Sequence, residues 1–238
     1  MARYFCHDHP GTLTLATRVA ATRPGAVTLD QSPFYPGGGG QLADRGVLRW
    51  SGGEATVKGF EYADGRMWIL LPDGVEISGP LEAMVDPAFR TMMTQMHTAT
   101  HVLNALVFQQ FDGALVTGVQ MNDDGTARMD FDLPNADNDR LRALEAPIND
   151  AIRQGLPVQC TYVPIEEAQE TRGLIRSRSV APPPTPEGTI RIVEIVGLDR
   201  QACGGTHLSN TAECRPIRLL KIDNKGRHNR RIRIGFAH

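Results

Sequence analysis

Residues 86–111 read DPAFRTMMTQMHTATHVLNALVFQQF. Phe89, Met92, Met96, Ala99, Leu103 and Leu106 recur every three or four positions, the period of an α-helix with one apolar stripe. Asp86 suits the cap, where a carboxylate accepts from free N–H groups, and Pro87 suits the first turn, where its missing N–H would be unpaired anyway. A long helix is expected here, and it divides the chain, because the residues before it follow another period.

From residue 12 to 86 the runs TLTLATRVA, GAVTLD, RGVLRW, EATVKGFEY and RMWILL alternate apolar and polar side chains between Gly, Pro and Asp. That rhythm predicts a small antiparallel β domain, barrel-like, over residues 1–86. After the helix, LVTGVQM and ARMDFDL flank the turn signal NDDG and predict a hairpin. A second helix is expected from Asp137 to Gln154, kinked at Pro147 and stopped by Gly155. Strands follow at PVQCTYV, TIRIVEIV, RPIRLLKI and NRRIRIGF, with APPPTPEG as an exposed loop between the first two. Residues 87–238 thus form a second, α+β domain, and the fold class is α+β.

Composition sets the outer limits. With 238 residues there is room for two modest cores, and 41% hydrophobic with 22% charged residues is ordinary for a globular chain. No apolar run approaches the length that spans a bilayer. The start, MARYFCHDHPGTLTL, lacks the basic head and apolar core of a secretion signal, so a cytoplasmic location is expected. The four cysteines then read as reduced thiols or ligands: Cys160 and Cys214 as small buried strand residues, and CHDHP at residues 6–10 as polar N-terminal surface. The net charge of −2 excludes a protein that coats nucleic acid by bulk attraction. The basic charge is local: Arg215, Arg218, Lys221, Lys225, Arg227, Arg230, Arg231 and Arg233 face only Asp223 among the acids of that segment.

HTATH at 97–101 lies inside the expected helix. Positions i and i+4 share a helix face, so His97 and His101 can aim their ring nitrogens at one point. QACGGTHLSN at 201–210 repeats the spacing with Cys203 and His207, and its two glycines allow the tight turn that brings thiolate and imidazole together. Three imidazoles and a thiolate suit Zn²⁺ in a tetrahedron, not the oxygen-seeking Mg²⁺ or Ca²⁺. The residue after His97 is Thr98, so the general-base glutamate of an HExxH protease is absent, and no Gly-Lys-Ser/Thr follows the glycine run to make a phosphate loop.

HTATH, the distant CGGTH and the preceding SPFYPGGGGQLADRG together resemble the editing domain of alanyl-tRNA synthetase and its free-standing relatives, the AlaX proteins. The resemblance extends from about residue 12 to about residue 236. It implies that HxxxH and CxxxH, here His97, His101, Cys203 and His207, supply zinc ligands. The stretch ending in GGQ and followed by Asp and Gly, here Gly39, Gly40, Gln41, Asp44 and Gly46, belongs in that family to an N-terminal β domain bordering the editing pocket.

The resemblance also implies a reaction: hydrolysis of the ester that joins a wrongly attached amino acid, typically serine or glycine, to the terminal ribose of alanine tRNA. The partner would be mischarged tRNA(Ala), bound through its acceptor end. Gln41, His101 and Cys203 are the residues expected to act on the ester, with Gly38, Gly39, Gly40, Gln41 and Thr206 around the substrate. Lys225, Arg227, Arg230 and Arg231 are the expected phosphate contacts. Many relatives carry a small hydroxyl residue just before GGGQ, where this chain has Gly37, so a hydroxyl able to recognise serine is missing. The chain is too short for the synthetase's adenylate-forming domain, and ligation is not expected. Four protein ligands leave open whether zinc is structural, orients the substrate, or gives up a ligand to water. A zinc-stabilised tRNA-binding module without hydrolysis, and a hydrolase of another small ester, are the competing readings.

Overall fold

The computed structural model describes residues 3–134, 136–176, 182, 184–226 and 228–237. It is α+β, and the chain forms two compact units: residues 3–38 with 42–92, and residues 39–41 with 93–238. The division falls inside the long helix, between Met92 and Met93.

The first unit begins with a short helix, α1 (Phe5–Asp8), followed by the strands β1 (Thr14–Arg23), β2 (Ala26–Leu29), β3 (Gly46–Trp50), β4 (Gly53–Thr56), β5 (Gly59–Ala63), β6 (Arg66–Leu70) and β7 (Pro80–Val85). They make one antiparallel sheet in the order β4-β3-β7-β1-β2-β6-β5. Leu48 and Ala55 from one end of that order and Ile69 and Phe60 from the other share a single apolar cluster with Val27, Phe34, Leu81 and Val85. Strands so far apart can reach a common core only if the sheet curls, which gives the half-barrel expected from the alternating runs.

EATVKGFEY breaks into β4 and β5 around Val57 and Lys58 and is not one strand. CHDHP lies at the surface through Asp8, His9 and Pro10, which are exposed, whereas Cys6 on α1 is 1% exposed and packs inward.

In the same unit Asp44 is buried with Arg90, whose Nε donates to Asp44 Oδ1 at 2.8 Å while its Nη2 makes a very short contact with Oδ2 and donates to Pro33 O at 2.9 Å. Asp44 Oδ2 also accepts from Tyr35 N at 2.6 Å. A buried charge needs partners of this kind. The Asp and Gly after GGQ therefore have structural work in this unit, Gly46 lying so close to Met84 O that a Cβ would sit 2.1 Å from it.

The helix α2 (Pro87–Gln110) starts in the first unit, where Asp86 Oδ1 accepts from Phe89 N at 3.0 Å, and from Met93 onward it belongs to the second. From Met96 to Val107 every residue is buried, so α2 runs through the interior and not along it with one wet face. The remaining elements are β8 (Val116–Met121), β9 (Thr126–Asp132), α3 (Asn138–Arg142), α4 (Glu145–Arg153), β10 (Val158–Pro164), α5 (Ile165–Glu170), β11 (Thr189–Ile195), β12 (Asp199–Ala202), β13 (Ile217–Lys225) and β14 (Asn229–Phe236). They form a four-stranded sheet, β13-β14-β9-β8, and a three-stranded sheet, β10-β11-β12, each antiparallel.

The expected helix over 137–154 is two helices. Asp137 caps α3 by accepting from Asp139 N, the chain turns at Ala143 and Leu144, and Pro147 lies in the first turn of α4, where a missing N–H breaks no bond. Pro147 therefore marks a helix start and not a kink. On α4, Asn149 exchanges two hydrogen bonds with the backbone of Ile217 and Glu145 accepts from Leu219 N, which covers the outer edge of β13.

Cys160 lies in β10 as expected but is exposed, because β10 is an edge strand. Cys214 is buried but follows a short 3-10 helix, Thr211–Glu213, and is not in a strand. Of the loop read from APPPTPEG, residues 181 and 183 lie outside the described residues, and the others form no helix or strand.

Candidate metal centre

His97 and His101 stand one turn apart on α2, and Cys203 and His207 lie on the loop that leaves β12. Their ligand atoms all fall within 4.8 Å of one another. Cys203 Sγ is 3.3 Å from His97 Nε2 and 3.3 Å from His207 Nε2. The rings of His101 and His207 meet edge-on, with centroids 4.4 Å apart. All four side chains are buried.

Glycine makes this approach possible. A Cβ on Gly205 would lie 2.0 Å from His97 Cε1, 2.2 Å from its Nδ1 and 2.8 Å from Gln41 Oε1, so it would force the imidazole or the loop to move. Gly40 serves the loop in a similar way: its carbonyl accepts from Met121 N at 2.8 Å, and a Cβ there would stand 2.7 Å from Val119 O.

Each imidazole turns its other nitrogen toward a separate acceptor. His97 Nδ1 donates to Gln41 Oε1 at 2.7 Å, His207 Nδ1 lies 3.4 Å from Thr98 Oγ1, and His101 Nδ1 faces Asp199 Oδ2 at 3.3 Å. With the outer nitrogens so engaged, the Nε2 atoms of His97 and His207 are left to converge on the thiol.

Gln41 is 3% exposed and does more than touch His97. Its Oε1 also accepts from Thr206 N at 2.9 Å, and its Nε2 donates to Thr206 Oγ1 at 2.8 Å. Thr206 Oγ1 is in turn 2.8 Å from Thr94 Oγ1. The end of the glycine run, the helix and the CxxxH loop are thereby sewn together within the second unit. Gly39 lies in that unit as well, whereas Gly38 lies in the first, its carbonyl accepting from Tyr35 Oη at 3.0 Å.

The charges in the cluster are coupled. Burial pushes His101 down, but the Cys203 thiolate and Asp199 outweigh it and hold His101 up to about 9. Burial opposes ionisation of Cys203, yet His97, His101 and His207 around it bring its thiol well below the ordinary range. His207 moves the other way, pushed down by burial and by His101 beside it.

These donors fit a divalent cation of zinc's type. In a tetrahedral site with Zn–N near 2.0 Å and Zn–S near 2.3 Å, neighbouring ligand atoms are roughly 3.3–3.7 Å apart, close to the spacing seen around Cys203. One thiolate and three imidazoles, with the outer nitrogens of His97 and His207 held by acceptors and that of His101 facing a carboxylate, are also the chemistry zinc favours.

Two residues that the motifs do not contain complete the centre. Asp199, buried, accepts from Arg176 Nη1 at 2.6 Å and from Gln201 Nε2 at 2.6 Å, and Gln201 Oε1 accepts from Asn104 Nδ2 at 2.9 Å. Arg191, also buried, donates through Nη1 to Cys203 O at 3.0 Å and Gly205 O at 2.9 Å, and through Nη2 to Cys160 Sγ at 3.0 Å. A basic residue inside the apolar run TIRIVEIV was a readable sign of such a buried task; for Asp199 no spacing rule gave one.

The basic C-terminal segment is less free than its composition suggests. Lys225 is exposed at the end of β13. Arg230 is buried, and Arg231 is tied to Asp130 by two bonds of 2.7 and 2.8 Å. Arg227 lies outside the described residues. Among the described residues, no helix is long and apolar enough to cross a membrane.

The C-terminal part of the chain is of a kind found in certain tRNA synthetases. Residues 190–233 match the family model described as the threonyl and alanyl tRNA synthetase second additional domain. An alanyl-tRNA editing protein, AlaX-M, of Methanosarcina barkeri is 38% identical over 87% of this chain and 86% of its own length. AlaX-M of Saccharolobus solfataricus is 34% identical over 90% of each chain. The chain belongs to the AlaX family of alanyl-tRNA editing proteins. It is also similar to an alanine–tRNA ligase of Methanopyrus kandleri, 36% identical over 82% of this chain but only 21% of that much longer protein.

Proposed function

We propose that this protein is a trans-editing deacylase that hydrolyses the ester of mischarged tRNA(Ala), releasing serine or glycine and a free terminal ribose hydroxyl. The observation that carries the proposal is the buried convergence of His97, His101, Cys203 and His207, joined through His97 and Thr206 to Gln41 at the end of the glycine run. Family membership directs that chemistry to alanine tRNA.

In this reading the four side chains hold Zn²⁺, which when bound offers Lewis acidity to an ester carbonyl or a coordination point to an amino group. The protein's own groups do the rest. Gln41 and Thr98 fix the imidazole tautomers, Arg191 holds the carbonyls of the CxxxH loop, and Gln41 with Thr206 forms the polar wall beside the ligands. Gln41 Nε2 donates one hydrogen to Thr206 and has a second for an aminoacyl oxygen. Gly39 adds no side chain and has open space where a Cβ would stand, so the backbone beside Gln41 is free to meet a substrate there, while Gly40 packs against Val119; Gly38 is the further candidate from the motif. Gly37 contributes no hydroxyl, which favours glycine at least as much as serine as the amino acid removed. Release takes place in the cytoplasm, where mischarged tRNA arises.

The test is deacylation of Ser-tRNA(Ala), Gly-tRNA(Ala) and Ala-tRNA(Ala) by purified protein and by Cys203→Ala, with metal content measured alongside. Release of serine or glycine that spares alanine and is lost with the metal in the variant is the expected result. Bound zinc and bound tRNA without release would instead assign a tRNA-binding module.

A further inference from the structure

The three imidazoles of the cluster are not backed alike. Behind His97 stands a neutral amide and near His207 a neutral hydroxyl, but behind His101 stands a carboxylate. Among the described residues, His101 Nδ1 is buried and makes no hydrogen bond, and the Asp199 carboxylate faces it with Oδ2 3.3 Å away. The side chain of Asp199 is fully shielded from solvent and carries the Arg176 guanidinium on its other oxygen at 2.6 Å. Arg176 in turn lies over the Phe108 ring, 4.1 Å from its centroid.

We infer that Asp199 is a positioning residue for the metal centre, setting both the orientation of His101 and the charge that the centre presents to a cation, with Arg176 as the counterweight that moderates it. The inference rests on the reading that the four side chains hold a metal.

The argument is one of charge in a medium of low dielectric. A divalent cation with a single thiolate leaves a net positive centre inside the protein, and such charge is costly to bury unless it is compensated. Asp199, one imidazole away, supplies a negative charge along the His101 ring and strengthens it as a donor. Arg176 cancels part of that charge, so the carboxylate is stable in the chain without metal. A pair arranged in this way makes opposite predictions for its two members. Removing the carboxylate leaves the Arg176 cation uncompensated next to the metal, whereas removing Arg176 leaves a buried carboxylate that a bound cation would relieve.

Zinc affinity, measured by competition with a chromophoric chelator, reads the difference without reference to catalysis. Asp199→Asn, which keeps the shape and a polar atom toward His101, is expected to bind zinc about 10–100-fold more weakly. Arg176→Met is expected to bind at least as tightly as the unaltered protein. Asp130→Asn, which breaks a different carboxylate–arginine pair in the four-stranded sheet, controls for a general loss of stability and should leave affinity unchanged. Should Asp199→Asn fail to fold, Arg176→Met alone decides, since a purely structural pair predicts weaker binding there too. Equal weakening in both variants, or unchanged affinity in Asp199→Asn, overturns the inference while leaving the metal site in place. Absence of zinc binding by the unaltered protein overturns both.

Discussion

Gln41 Oε1 accepts from His97 Nδ1 at 2.7 Å, so the residue that closes the glycine run is fastened to the first histidine of the cluster on α2. The same oxygen accepts from Thr206 N, and loss of the side chain would leave two buried donors unpaired. Each such donor costs about 1–3 kcal/mol. Gln41→Ala should therefore lower stability in urea, and with His97 released it should reduce zinc affinity as well as deacylation. Gln41→Glu keeps an acceptor toward His97 and should retain most of the metal. Full zinc affinity in Gln41→Ala would show that His97 needs no such support.

Two adjacent glycines in the CxxxH loop should respond very differently to one added methyl group. A Cβ at Gly205 would overlap His97, whereas at Gly204 it would meet Pro182 Cβ at 3.4 Å, an ordinary contact. Gly205→Ala should displace His97 or the loop and lose bound zinc. Gly204→Ala should keep the metal, with stability changed by about 1 kcal/mol or less. Metal analysis of the two purified variants decides, and equal zinc content would contradict the packing argument.

The centre was legible in the sequence to the extent that its residues follow helical or loop spacing. His97 and His101 are separated by one turn, and Cys203 and His207 bracket two glycines, so both pairs stand out of the text. Asp199 and Arg176 do not, because they reach the cluster through tertiary packing of elements with no common period, and Arg191 shows only as a basic residue inside an apolar run. The fold shows the same division. α2 was readable from its apolar spacing, but the extent of its burial was not, since Thr98, Thr100, His101 and Asn104 look like a wet face until their partners are known. β7 carries Pro80 and Glu82, and β12 reads DRQA, so neither resembles a strand in composition; pairing with β1 and with β11 is what makes them strands. Cys160 was misjudged because a sequence does not say which strand lies at an edge.

Acid should weaken the four-stranded sheet through Asp130. Burial pushes this carboxyl up, but the Arg231 hydrogen bond and charge, with Arg128 adding to them, outweigh it and hold its pKa below the ordinary value of 3.8. A depressed carboxyl contributes stability that is complete above its unfolded value and disappears as pH falls through its folded value. Asp130→Asn should therefore be less stable than the unaltered protein near neutrality, and the gap should narrow as pH falls below about 4. Urea titrations at a series of pH values provide the check. A gap that stays constant into acid would mean that Asp130 contributes by packing alone.

The basic residues of β13 and β14 can be separated by the same pairing. In register, Arg231 stands opposite Asp223 on one side and Asp130 on the other, and its guanidinium is committed to Asp130. Lys225 opposes Asn229 and is exposed. If tRNA phosphates meet this face, Lys225→Ala should weaken tRNA binding at low salt and reduce the salt dependence by about one counterion, with no loss of stability. Arg231→Ala should cost stability first, because it strands Asp130, and its effect on tRNA binding should follow from that. Arg230, buried, should resemble Arg231 more than Lys225. Binding isotherms at several salt concentrations, read beside urea midpoints, separate these outcomes: an unchanged salt slope in Lys225→Ala would move the phosphate contacts to another face of the protein.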